Sequence, residues 1–309
     1  MAILVHLPSF MAVPITALLR EAAPDITVWN GREAAVAEQV EAIIAWGLKP
    51  GVVPTYPNLR LVCAATAGVD KLLAAPDLPA HIPVTRIVDP GQQAGIARFV
   101  LAMALRHTRA LGLYAEQQRR GEWQRHAGRD AAQCRVGVLG LGEIGSEVAR
   151  MFVAIGYPVN GWSRAAKHLP GVTDFTGDDG LDAMLEQSDI LVCTLPLTPR
   201  TEGLLDRRTL SRLPRGAYLI NVGRGEHVVE PDLVALIDEG HLAGAALDVF
   251  AKEPPAADDP VWNHPRIEAT PHIAADPSYP LVARQCLDNL RRARDGRALL
   301  NLVDRQAGY

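Results

Sequence analysis

The run Val136-Gly137-Val138-Leu139-Gly140-Leu141-Gly142-Glu143-Ile144-Gly145 constrains this chain more than any other stretch. An apolar strand pattern runs directly into G-x-G-x-x-G, and a helical pattern follows from Ser146 to Ile155. Each glycine has its own physical task. Gly140 permits the tight turn out of the strand, Gly142 lets a pyrophosphate approach the backbone, and Gly145 lets the helix pack closely on the sheet. The helix N-terminus offers unpaired N–H groups and the positive end of a dipole, which favour an anion. A second strand pattern, Tyr157–Trp162, follows at βαβ distance. Glycine-rich turns are common, but strand, turn, helix and second strand in this order predict a dinucleotide site. Its contacts are expected at Gly140, Leu141, Gly142, Glu143, Ile144 and Gly145.

The chain has 309 residues, more than one core usually holds, so two domains are expected. Hydrophobic content of 48% and charged content of 21% fit an ordinary globular protein. A net charge of −4 gives no electrostatic reason to expect nucleic acid or a membrane surface as partner. Arg291, Arg292, Arg294 and Arg297 read as the solvated face and end of a terminal helix. Cys63, Cys134, Cys193 and Cys286 show neither C-x-x-C nor zinc spacing, so no metal is expected. Three of them lie in or beside apolar strand patterns, which fits small hydrophobes in a reducing compartment. The apolar N-terminus lacks a basic leader and is interrupted by His6, Pro8 and Pro14, so Ala2–His6 reads as a strand. No stretch approaches the ~20 apolar residues of a membrane span. A cytoplasmic protein is expected.

Strand patterns occur at Ala2–His6, Ile26–Trp29, Ala42–Trp46, Leu59–Ala64 and Val84–Val88, with helical patterns at Ser9–Arg20 and Arg32–Val40. Ser9 is the expected N-cap. A long periodic stretch from Gly91 to about Gly121 suits one or two buried helices. From Cys134 the alternation resumes. Strands are expected at Arg135–Leu139, Tyr157–Trp162, Ile190–Leu195, Ala217–Val222, Gly244–Asp248 and Ile267–Ala269. Helices are expected at Glu143–Ile155, Leu181–Gln187, Asp206–Leu213, Pro231–Glu239 and Tyr279–Arg297. This alternation predicts an α/β protein with parallel sheets.

NAD-binding proteins of this fold place an acidic residue about 20 positions after the glycine loop, on the ribose 2′-OH. Here the second strand ends Gly161-Trp162-Ser163-Arg164, with Lys167 close behind and no carboxylate at its tip. Arg binds phosphate through a planar fork, and Ser can add a hydrogen bond. Ser163, Arg164 and Lys167 therefore predict a preference for NADP(H) over NAD(H).

Three later strand ends carry ionisable residues: Arg224 in Asn221-Val222-Gly223-Arg224-Gly225, Glu253 before Pro254, and His272 in Thr270-Pro271-His272-Ile273. Ligands of open α/β sheets bind beyond the carboxyl ends of the strands. On the same rule Leu195, Pro196, Val222 and Gly223 are expected beside the cofactor. The trio suits reduction of a 2-oxo acid. A His donates the proton that the reduced carbonyl oxygen needs. A carboxylate on its other ring nitrogen orients the imidazole and favours its charged form. An Arg holds the substrate carboxylate and polarises the carbonyl. Singly each residue is weak, since a lone His after a strand is more often structural and a Glu before Pro is usually a surface loop. The ordered set behind a dinucleotide loop is much stronger.

With these motifs, and with Gly244-Ala245-Ala246-Leu247-Asp248-Val249-Phe250 between them, the chain resembles the D-2-hydroxyacid dehydrogenases over nearly its whole length. The resemblance implies two Rossmann-like or flavodoxin-like domains with a cleft between them. The substrate domain spans residues 1–98 and 276–309, and the dinucleotide-binding domain spans residues 99–275. It also implies catalytic roles for Arg224, Glu253 and His272 and a nicotinamide contact at Asp248. The backbone N–H groups of Ala67, Gly68 and Val69 are implied to hold the substrate carboxylate. Asp70 is expected to be a helix N-cap. Within the family the chain looks most like bacterial glyoxylate/hydroxypyruvate reductases, whose substrate-side aromatic matches Trp46; burial in the core is the equal alternative for Trp46. Arg98 and Pro255 depart from the family's usual Glu and Leu. A homodimer, through the nucleotide domain and the long helix after Gly91, is the family habit. The alternatives are another member of the family, or a non-enzymatic dinucleotide-sensing regulator on the same fold.

Overall fold

In the computed structural model, which describes residues 2–31, 36–128 and 130–309, the chain divides into two compact units. One comprises Met1–Gln92 with Pro277–Tyr309, and the other comprises Gln93–Asp276.

The first unit begins with β1 (Ala2–His6), α1 (Ser9–Ala22), β2 (Thr27–Asn30), β3 (Val40–Ala45), β4 (Leu61–Ala64), α2 (Asp70–Leu73) and β5 (Val84–Thr85). Its strands form a parallel sheet in the order β2-β1-β3-β4-β5. Alternation along the strands divides the core between two faces. Ile3, Val5, Ile44 and Cys63 pack on one, whereas Leu4, Ile43, Val62 and Ala64 pack on the other.

Two expected N-caps are corrected. Pro8, not Ser9, precedes the first helical residue, and its carbonyl accepts the Met11 and Ala12 N–H groups at 3.0 and 2.8 Å. Val69, not Asp70, caps α2, and its carbonyl accepts from Leu72 and Leu73. Of the helix expected at Arg32–Val40, residues 32–35 lie outside the described residues. Beyond them Ala37–Gln39 form a single 3-10 turn and Val40 already belongs to β3. Val36 is exposed before that turn and only Val40 enters a strand, so over the described residues the helical reading fails.

α3 (Pro90–Thr108) and α4 (Leu111–Arg119) replace the single long periodic stretch, divided at Ala110 with φ +52°. The second unit continues with β6 (Val136–Leu139), α5 (Glu143–Ala154), β7 (Val159–Trp162), β8 (Val172–Phe175), α6 (Gly177–Leu185) and β9 (Ile190–Cys193). It closes with α7 (Arg207–Leu210), β10 (Ala217–Asn221), α8 (Glu230–Asp238), β11 (Leu242–Leu247) and β12 (Ile267–Ala269). All seven strands run parallel in the order β12-β11-β10-β9-β6-β7-β8. Counted from β6, this is the doubly wound order of dinucleotide-binding sheets with one strand added. β8 has no expected counterpart. It is a short edge strand, only partly buried, and carries too few apolar residues to show a period.

α9 (Tyr279–Arg294) returns to the first unit, where Val282, Cys286 and Leu290 pack with Ile15 and Leu19 of α1. Its arginines meet carboxylates: Arg292 pairs with Asp288 at 3.1 Å and Arg294 with Glu41 at 3.8 Å. Among the described residues, no helix is long and apolar enough to cross a membrane.

Candidate active site

Because every strand of the second sheet points the same way, the segments after β6, β9, β10, β11 and β12 gather at one edge. The glycine loop leaves β6 there. Gly140 has φ +91°, and a Cβ would sit 3.3 Å from the Leu195 backbone, so both conformation and space call for glycine. A Cβ on Gly145 would land on the Gly140 carbonyl oxygen. A Cβ on Gly142, in contrast, meets nothing within 4 Å, which leaves open space beside the N-terminus of α5. These features fit a dinucleotide pyrophosphate. The sequence reading missed Thr194, whose hydroxyl donates to Leu139 O or Gly140 O at 3.0 and 2.8 Å and ties the loop to β9. Only its place at a strand end hinted at this.

Around the loop the expected contacts divide. Glu143 is exposed and Ile144 half-buried, whereas Leu141 and Leu195 are core residues and can serve a cofactor only through their backbone. Pro196 and Val222 are half-buried and Gly223 is buried. At the tip of β7, the Ser163 hydroxyl donates inward to Ala165 O at 2.8 Å, so its proton closes a turn. Arg164 and Lys167 are exposed. Asp174, on β8, accepts the Lys167 and His168 N–H groups and fixes the course of this loop.

Arg224 follows β10 and is half-buried, and its guanidinium donates to Gly223 O at 2.8 Å. Its backbone N–H donates to Nδ1 of His227 at 3.1 Å. His227 is fully buried, and its Nε2 lies 3.3 Å from Pro196 O. A nitrogen that accepts cannot carry the proton, so Nε2 carries it and donates to Pro196. One neutral tautomer thus ties the Arg224 loop to the Pro196 loop. Cys193 Sγ lies 3.7 Å from the same Nδ1, but burial pushes its thiol up to about 12, so it stays un-ionised. His227 also escaped the sequence reading, because a buried helper and an exposed loop His look alike in sequence. Gly225 is required here too, since a Cβ would collide with the Phe250 and Ala251 backbone.

After β11, Glu253 accepts the Phe250 N–H at 3.2 Å through Oε1, and its Oε2 lies 3.0 Å from His272 Nδ1. The two side chains are 31% and 40% exposed, so the pair can be reached from solvent. His272 has φ +55°, a left-handed conformation uncommon outside glycine. The turn is held by Asp248, which is almost fully buried. Its Oδ1 accepts from Thr270 Oγ1 and Ile273 N at 2.7 and 2.8 Å, and Oδ2 accepts from Ala274 N at 2.9 Å. The fold therefore brings Glu253 and His272 into direct contact and engages Asp248 beneath them.

In the first unit, the Thr66 hydroxyl donates to Gly68 O at 2.8 Å within the loop that leads into α2. Ala67 and Gly68 are half-buried, while the Val69 side chain belongs to the core. Trp46 is half-buried at the end of β3. It packs on the core and also lines a cavity.

A doubly wound sheet, a glycine loop at its switch point and a His–carboxylate pair at the same edge define a dinucleotide-dependent oxidoreductase. Residues 101–274 match the family D-isomer specific 2-hydroxyacid dehydrogenase, NAD binding domain. Over its full length the chain is 33% identical to glyoxylate/hydroxypyruvate reductase A of Yersinia enterocolitica, covering 100% of both proteins. It is similar to a D-isomer specific 2-hydroxyacid dehydrogenase from Xanthobacter autotrophicus Py2, solved with NADPH and MES. That structure has a TM-score of 0.94 and 39% identity, with 100% and 99% of the two chains covered. It is also similar to an NADPH-dependent glyoxylate/hydroxypyruvate reductase from Sinorhizobium meliloti, solved with NADP and sulfate, with a TM-score of 0.93, 32% identity and the same coverage. The chain belongs to the D-isomer specific 2-hydroxyacid dehydrogenase family and is an NAD(P)-dependent oxidoreductase.

Proposed function

We propose that the protein is an NADPH-dependent reductase of small 2-oxo acids such as glyoxylate and hydroxypyruvate. The observation that carries this reading is the His272–Glu253 pair at 3.0 Å on the sheet edge that bears the glycine loop. When bound, the reduced nicotinamide supplies hydride to the carbonyl carbon. His272, held at Nδ1 by Glu253, gives a proton from Nε2 to the carbonyl oxygen. Arg224 binds the substrate carboxylate and polarises the carbonyl. Asp248 is assigned the nicotinamide contact and also holds the His272 turn. In the first unit, Ala67, Gly68 and Val69 are assigned to the substrate carboxylate and Trp46 to the substrate flank; that unit is the substrate domain.

Gly140, Gly142 and Gly145 with the backbone of Leu141, Glu143 and Ile144 hold the pyrophosphate, and Leu195, Pro196, Val222 and Gly223 flank the cofactor. Arg164 and Lys167 give the preference for NADP(H), with Ser163 shaping their turn. Two related proteins solved with NADPH or NADP support this assignment. Exposed Leu111 and Leu113, together with Trp123 at 97% exposure, support a homodimer through α4 and the segment after it. Four buried free cysteines support a cytoplasmic setting. The test is turnover of NADPH and NADH with glyoxylate, hydroxypyruvate and pyruvate in parallel. Faster turnover with NADPH and the first two acids is expected; tight NADPH binding with no turnover of any acid favours the sensor alternative.

A further inference from the structure

The strand order in the parallel sheet of the first unit reverses between β1 and β3. At such a reversal, an open α/β sheet leaves a crevice beyond the carboxyl ends of its strands, and ligands bind there. A cavity of about 460 Å³ occupies this place, lined by His6 at the end of β1, Ser9 beyond it and Trp46 after β3. Lys49 and Lys71 also line it, and among the described residues no carboxylate does.

Several observations make this crevice suited to an anion. Lys71 Nζ stands 4.9 Å from the Trp46 ring centroid, which holds the ammonium at the cavity wall. A Cβ on Gly47 would sit 3.2 Å from Lys71 Cβ, so the end of β3 and the first turn of α2 are closely apposed. Burial, and then the charge of Lys49, push the His6 pKa down, which keeps a neutral hydrogen-bonding imidazole beside two cations. The first turn of α1 opens at Ser9 and adds the positive end of a helix dipole. The loop Ala67–Val69 runs directly into α2, and Lys71 is the second residue of that helix. Lys71 therefore lies two to four residues beyond the loop assigned to the first carboxylate.

We propose that this crevice receives the far end of the substrate, and that Lys49 and Lys71 select 2-oxo acids carrying a second negative charge over monoanionic ones. The proposal rests on the reductase reading and on the assignment of Ala67–Val69 to the first carboxylate.

The test compares kcat/KM for oxaloacetate and glyoxylate with NADPH, at low and high salt, in the full-length protein and in Lys49→Gln, Lys71→Gln and the double variant. At low salt oxaloacetate is expected to exceed glyoxylate. The ratio of the two should fall roughly five- to tenfold for each lysine removed, and should also fall with salt. Tartronate, a dianion that the reduced cofactor cannot reduce further, gives a readout apart from turnover. Followed by NMR of the His6 imidazole, tartronate should raise its titration in the unmodified protein and leave it in place in the double variant. An unchanged ratio in all four proteins, or a His6 signal indifferent to tartronate, overturns the proposal even where glyoxylate is turned over. Failure of every oxo acid to react overturns the reductase reading instead, and the tartronate titration then still decides whether the crevice binds a dianion.

Discussion

His272 Nδ1 lies 3.0 Å from Glu253 Oε2, while the other oxygen of the same carboxylate accepts the Phe250 N–H at 3.2 Å. The backbone bond fixes the carboxylate, and the carboxylate fixes the ring. Glu253→Gln keeps the size but removes the charge facing the imidazole. We expect kcat to fall about a hundredfold, the lower end of what a positioned acid contributes. The Kd for NADPH should not change. Steady-state rates together with a fluorescence titration of NADPH check this.

His227 predicts a different signature. It touches no reacting atom in this account; it joins Arg224 N–H to Pro196 O through one tautomer. His227→Phe fills the space but leaves a buried donor and acceptor unpaired, at about 1–3 kcal/mol each. Thermal stability should drop, and KM for the oxo acid should rise roughly tenfold, because the Arg224 loop loses its anchor. His227→Asn, which can offer both an acceptor and a donor, should recover part of both effects. Equal damage by the two variants contradicts the positioning role.

Under the proposed function the cofactor preference is assigned chiefly to Arg164, since the Ser163 hydroxyl is turned inward to Ala165. Arg164→Ala should raise KM for NADPH by roughly ten- to a hundredfold, the range for losing a hydrogen bond to a charged group. KM for NADH should hardly move. Ser163→Ala should have a smaller effect on NADPH than Arg164→Ala. Parallel Michaelis curves with the two cofactors separate these outcomes.

Trp123 is 97% exposed, and Leu111 and Leu113 are exposed close by in sequence. A large apolar side chain in water favours association. Trp123→Arg is expected to shift a homodimer towards monomer in sedimentation velocity at micromolar concentration. An unmodified protein that sediments as a monomer contradicts the dimer reading.

Much of this was legible in the sequence, and for physical reasons. Buried parallel strands such as Val136–Leu139 and Ile190–Cys193 are continuous apolar runs, and the glycines at 140 and 145 are fixed by a turn and a close approach that no other residue permits. β8 escaped because an edge strand buries too little to leave a pattern. The caps at Ser9 and Asp70 were misplaced because a backbone carbonyl, from Pro8 or Val69, does the work that a side chain was expected to do. Thr194, His227 and the engaged carboxylate of Asp248 act through contacts between segments far apart in the chain. Local sequence carries no sign of such partners.

The most direct measurement is the effect of His272→Ala on kcat and on NADPH binding with glyoxylate as substrate. The expected result is a fall in kcat of about 10²–10⁴, the usual share of a general acid, with the Kd for NADPH unchanged within about twofold. Near-normal turnover would remove His272 from the proton path, and loss of NADPH binding would place it in the cofactor site instead.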